Sequence, residues 1–263
     1  MKTPLPLLAL AVLCSGFAAT AGLLDNLKSA LTTTNLATNN PLSSATSTAL
    51  APDQMIGGLK EALGKGVQHA VATLGHDNGF LTNLNVKIPL PEKLQRVESV
   101  LRAAGQGQLA DDFIGSMNHA AEQAVPVAAD VFADAVQQMT ISDAKAILTG
   151  PPDAATQYFR RTTQTNLQAK FYPIVQKATD QVGVTAQYKA MMGKFTALDT
   201  VSSFFGSKAG PKLSTGDIDA YVTDKAMDGL FKLVAEEEKN IRTNPLARTT
   251  DLLQTVFGAA TKP

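Results

Sequence analysis

The sequence has no tryptophan, a single cysteine and three histidines among its 263 residues. Aromatic side chains make up 6% and charged ones 17%. A core must therefore be filled by Leu, Val, Ile, Met and Ala, a set that suits helices. Neither sign of charge is in excess: 23 basic residues face 23 acidic ones, with no run of lysines or arginines. That balance excludes the basic stripe of an electrostatic nucleic-acid binder and the polybasic patch that holds an anionic membrane. Motifs are missing as well. There is no Gly-x-Ser-x-Gly elbow, no Walker loop and no Gly-x-Gly-x-x-Gly after a strand. No Glu-x-x-His pair occurs, which removes the usual helical di-metal arrangement. No cofactor is expected.

What is present begins with an export signal. Met1-Lys2-Thr3 gives a positive start, residues 5–13 are apolar apart from Pro6, and Ala19-Thr20-Ala21 fits signal-peptidase cleavage. The apolar run is too short to span a bilayer, which takes roughly 20 residues. Cys14 raises a lipoprotein alternative, but the bulky Leu13 before it favours simple cleavage after Ala21. The mature chain would then lack cysteine, which rules out disulfides, thiol nucleophiles and thiolate metal sites. The expected compartment is the periplasm, with no transmembrane segment left after cleavage.

Residues 22–51 read as a short helix followed by a flexible Ser/Thr/Asn-rich tether, with Leu23, Leu24, Leu27 and Leu31 at helical spacing. Residues 52–263 read as a single all-α domain of about seven to eight helices. Leu59, Leu63, Val67 and Val71 repeat every four residues, and Ala62, Gly66 and Ala70 make a parallel row of small residues. The segment Val86-Lys87-Ile88-Pro89-Leu90-Pro91 cannot be helical and reads as extended, an edge strand or a wrapped loop. Further helices are expected over 91–104, 108–139, 142–148, 151–182, 185–198, 217–242 and 249–257. Pro126 and Pro173 kink the two long ones. Pro151 and Pro152 fit the first turn of their helix, and Ser214 with Asp217 has capping-box spacing.

Several of these stretches occur together in a known family. Asp111-Asp112-Phe113 through Pro126, Ile147-Leu148-Thr149-Gly150 through Thr163, and Arg242-Thr243-Asn244-Pro245 through Phe257 carry the resemblance. The 86–91 segment and Tyr221-Val222 through Phe231 add to it. The chain resembles the bacterial domain of unknown function 4197 family over residues 59–257. The resemblance implies an exported protein of Gram-negative bacteria. It implies no agreed function and no catalytic residues.

Candidate chemistry is sparse. His119 and Glu122 can share a helix face, most simply as a surface hydrogen bond, and His69 and His76 offer no constellation. Asp130 and Asp134 lie one turn apart; a neighbouring lysine or water balances such a pair more often than a metal does. Glu236, Glu237, Glu238, Lys239 and Arg242 read as a solvated face with a modest Glu238–Arg242 pair. Arg160 flanks an apolar stripe, and Arg242 and Arg248 bracket Asn244-Pro245. All three are candidate contacts for an anionic ligand, since guanidinium groups clamp carboxylates and phosphates. The favoured alternative is structural, each pairing with an internal acid such as Glu122 or Asp112. The sequence therefore points to a non-enzymatic binding or interaction module of the envelope, whose partner is an envelope protein or a small ligand. The alternatives are a carrier of a small apolar or acidic ligand, and a hydrolase with no identifiable site.

Overall fold

Four-residue apolar rows decide which faces of the chain turn inward. The computed structural model describes residues 52–181, 183–203 and 213–244. The expected signal, the tether, Arg248 and the last helix near 249–257 lie outside the described residues. The described residues all fall within one compact unit. Within it run α1 (Pro52–Leu74), α2 (Gln95–Ala103), α3 (Gly107–Ala124), α4 (Ala128–Gln138), α5 (Ile141–Thr149), α6 (Ala154–Gln181), α7 (Val184–Ser203) and α8 (Thr215–Thr243). The expected all-α domain is what forms, and no strand occurs among the described residues. None of the described helices is long and apolar enough to cross a membrane.

α8 is the central element and packs against α6, α1 and α3. The row of small residues on α1 allows the close approach of α8. Ala62 and Ala70 are buried, and a Cβ on Gly66 would stand 3.4 Å from Glu237 Cβ. Phe132 of α4, Phe159 of α6 and Phe231 of α8 meet in the centre. Phe132 lies edge-on to the other two, at centroid distances of 5.1 and 5.9 Å. These three rings are among the fully buried phenylalanines that fill a tryptophan-free core, and truncating one to alanine typically costs about 3–5 kcal/mol.

Some expected boundaries move. The 108–139 helix is two helices, α3 and α4, joined by a single 3₁₀ turn at Val125–Val127. Pro126 has no N–H to give to the ladder, so the turn tightens there. The apolar rows stay in register on both sides, which is why they read as one. α5 starts at Ile141, not Ser142, because Thr140 and Asp143 form a reciprocal capping box. Pro151 and Pro152 precede α6; they do not occupy its first turn. By contrast, Ser214 and Asp217 do cap α8 as expected. α6 runs through Pro173.

The extended segment is a wrapped loop, not an edge strand. It runs from the end of α1 to the 3₁₀ turn Glu92–Leu94 that precedes α2. Buried Asn118 of α3 takes the place of a neighbouring strand. Its Oδ1 accepts from the Ile88 N–H at 2.8 Å, and its Nδ2 donates to the Ile88 carbonyl at 2.9 Å. From α8, Tyr221 donates to the Pro89 carbonyl and Lys232 to that of Asn85. Phe80 lies so close to α8 that a Cβ on Gly229 would come within 2.7 Å of its ring.

Replacing Asn118 with alanine leaves both polar groups of Ile88 buried and unpaired. Each such group costs about 1–3 kcal/mol. Denaturant unfolding should show a loss of about 3 kcal/mol, with faster amide exchange at Ile88. A variant as stable as the parent would contradict the role given to Asn118.

Candidate functional site: an open cleft between three helices

Three carboxylates are buried in the described structure, and two of them, Glu122 and Glu238, hold backbone N–H groups. Glu122 of α3 accepts from the backbone N–H groups of Asn78, Phe80 and Leu81 at 3.0–3.3 Å, tying the loop down. His119 Nδ1 lies 2.8 Å from its other side. Because a carboxylate only accepts, His119 places its proton on Nδ1 and turns Nε2 outward. The neighbouring depression holds about 380 Å³ and is lined by Gly75, Asp77, Asn78, His119, Gln123 and Pro126 beside Glu122.

Glu238 of α8 is 4% exposed, so the expected solvated face is corrected at this residue. Its oxygens accept from the Ala155 N–H at 2.9 Å and from the Thr156 N–H and hydroxyl, both at 2.8 Å. These donors belong to the first turn of α6, where the helix dipole favours an anion. Arg242 donates to Glu238 at 2.7 and 3.0 Å and to the Ile147 carbonyl near the end of α5 at 2.9 Å. Its guanidinium thus joins two helix ends.

Arg160 behaves otherwise. It lies over the Phe231 ring, 4.5 Å from the centroid, and 3.8 Å from Asp228; neither Glu122 nor Asp112 is its partner. Both side chains of that pair are about half exposed, so the pair contributes at most about 1 kcal/mol. The stacking adds a similar amount. Arg160 is therefore not the clamp of a buried acid.

A polar recess lies between α4, the start of α5 and α6, with a volume of about 320 Å³. Asp134 and Gln138 stand one turn apart on α4. They line the recess with Arg161, Thr162 and Asn166 of α6, and with Asp143 of α5. Beneath them are Val131, Ala135 and Tyr158, whose hydroxyl donates to the Ala135 carbonyl at 2.8 Å. Burial pushes the Tyr158 phenol above its ordinary range, with Asp143 adding to the effect and Arg161 opposing it. Asp143 is fixed by its cap bonds, and the Thr140 hydroxyl and N–H hold its carboxyl below the usual range. Arg161 is 67% exposed and lies 3.6 Å from Asp143. The side chains of Asp134, Gln138 and Asn166 have no hydrogen-bond partner among the described residues. Among those residues no group of three His, Asp, Glu or Cys is placed to hold a metal ion.

A family model described as protein of unknown function (DUF4197) matches residues 49–258. The chain belongs to the DUF4197 family. No curated protein and no solved structure matches it. The DUF4197 region takes in the wrapped loop, both buried glutamates and the cleft. Sequence reasoning singled out Asp134 but missed Gln138, Arg161 and Asn166. The signal for them was an uncharged polar row, Thr162 and Asn166, one turn apart beside the apolar row of α6.

The third buried carboxylate is Asp219 of α8, 1% exposed, which accepts from the Thr179 hydroxyl at 2.7 Å. Burial pushes its carboxyl up; the Thr179 bond opposes this and Asp180 adds to it. With a folded-state pKa above the unfolded one, ionised Asp219 destabilises the fold at neutral pH. That cost fades as pH falls through the folded value. Asp219→Asn should therefore unfold at a higher temperature than the parent at neutral pH. The gap should shrink as pH drops toward about 4, the ordinary aspartate range. Acids held low, such as Asp143, are common to both proteins and cancel in the difference. Thermal unfolding of the pair across that range checks this; a gap independent of pH would contradict it.

Proposed function

We propose that this DUF4197 protein is a non-enzymatic binding module of the bacterial envelope, and that it binds in the cleft between α4, α5 and α6. One contrast carries the reading. Buried Glu122 and Glu238 are spent on holding the loop and a helix start, whereas Asp134, Gln138 and Asn166 face solvent with no partner in the described protein. Solvated polar groups carried on helices can exchange water for the hydrogen bonds of a ligand, and sites on helices are placed more precisely than sites on loops. The core supports an apolar carrier less well. Among the described residues, two gaps beside Glu238 hold about 10 Å³ each, against at least about 10–15 Å³ for one water. Large apolar side chains that stand out among the described residues are Leu84, Ile141 and Tyr172, on three different elements. That scatter favours a ligand over a flat protein partner.

The hydrolase alternative draws on the His119–Glu122 pair beside its own depression. No hydroxyl, thiol or amine side chain lines that depression, so a nucleophile there would be water or the Asp77, His119 or Glu122 side chain. Periplasmic location is supported by the signal features of residues 1–21.

Native mass spectrometry of protein purified from its own periplasm tests both parts. The expected mass is that of a chain starting at Gly22 without an acyl group, carrying a retained small molecule. An Asp134→Ala/Asn166→Ala double variant should lack that adduct. A chain beginning at an acylated Cys14, or recovery only in the cytoplasm, would overturn the export reading. An adduct unaffected by the two substitutions would overturn the site.

A further inference from the structure

We propose that the cleft between α4, α5 and α6 takes a glycan, an uncharged ligand with adjacent hydroxyl groups. This deepens the binding reading and rests on it.

The lining groups narrow the chemistry. Asp134 and Asp143 put two carboxylates on the cleft against one guanidinium, Arg161. A phosphate or other strong anion meets repulsion from both acids, and against a metal ion no group of three acids or histidines is placed to hold one among the described residues, Asp143 being already 3.6 Å from Arg161. An apolar ligand would strand Asp134, Gln138 and Asn166 without water or partners. What remains is a neutral, polar, strongly hydrogen-bonding molecule.

The shape of the free groups then favours hydroxyls in pairs. A carboxylate offers two acceptors side by side, a primary amide one acceptor and one donor, and a guanidinium two parallel donors. Asp134, Gln138, Asn166 and Arg161 are all of these planar two-point types. Neighbouring sugar hydroxyls each donate and accept at that spacing, so one side chain can engage two of them. A peptide backbone gives a single N–H per residue, with successive residues about 3.3 Å apart along the strand, so it matches the carboxylate less well. Thr162 adds an acceptor, because its own hydroxyl proton is already given to the Tyr158 carbonyl at 2.8 Å. Asp143 is held by its cap and Arg161 lies 5.7 Å from the Tyr158 ring centroid, so the charged groups are partly ordered before binding. For an exported protein, the glycans of the envelope are the polyols at hand.

The test titrates the purified mature protein with an N-acetylglucosamine tetramer, maltotetraose, trialanine and inorganic phosphate, followed by amide chemical shifts. At least one of the two glycans should bind, with shifts centred on Asp134, Gln138 and Asn166. Asp134→Ala and Asn166→Ala, both at exposed positions, should each weaken it by at least about tenfold while the helical circular dichroism stays unchanged. Binding of neither glycan overturns the proposal, as does trialanine or phosphate binding in their place, or affinity indifferent to both substitutions. The native-mass comparison separates the two failures. If the retained adduct still depends on Asp134 and Asn166, the cleft remains a binding site and only the glycan is wrong. If it does not, both readings fall.

Discussion

Glu238 fixes where α6 begins. The donors it satisfies, at Ala155 and Thr156, lie 83 and 82 residues away in sequence, so the bond joins two distant parts of the chain. The first N–H groups of any helix lack partners within it, and here a buried carboxylate from α8 supplies them. Arg242 neutralises that carboxylate and reaches the end of α5 as well. One acid and one base thereby set the ends of two helices against a third. Arg161, Thr162 and Asn166 stand within the next three turns of α6, and their position opposite α4 depends on that start.

Buried polar side chains do elsewhere what secondary structure usually does. Asn118 pairs with Ile88 as an adjoining strand would, and Glu122 collects three N–H groups of the loop after α1. A chain with few aromatics and few charges has limited means of holding an irregular segment. It uses fully bonded amides and carboxylates, whose burial is tolerable only because their partners are complete. The same polar residue types left unpartnered at the cleft are what distinguish that surface from the scaffold.

Much of the scaffold was legible in the sequence because helical rows are local. The row of Leu59, Leu63 and Val67, the small row on α1 and the Ser214–Asp217 box all depend on neighbours within four residues. The break at Pro126 was visible as a kink, but not as a complete turn separating two helices, since the rows continue through it. Glu238 looked solvated because its spacing to Arg242 is identical for a surface pair and a buried one. Only the distant α6 terminus makes the difference. For Arg160 the partner acid was sought in α3, whereas the ring and the acid beside it both come from α8. The cleft was the least readable feature, because residues near 134 and near 162 meet only once α4 and α6 are packed.

The dependence of α6 on Glu238 can be measured by comparing the parent with Glu238→Ala, using denaturant unfolding together with amide exchange at Ala155 and Thr156. Removing Glu238 takes the carboxylate partner from Arg242 and leaves two helix-terminal donors without their acceptor. Stability should fall by about 3–5 kcal/mol, and both amides should lose their protection. A loss below about 1 kcal/mol, the level of a surface pair, with both amides still protected, would contradict the place given to Glu238.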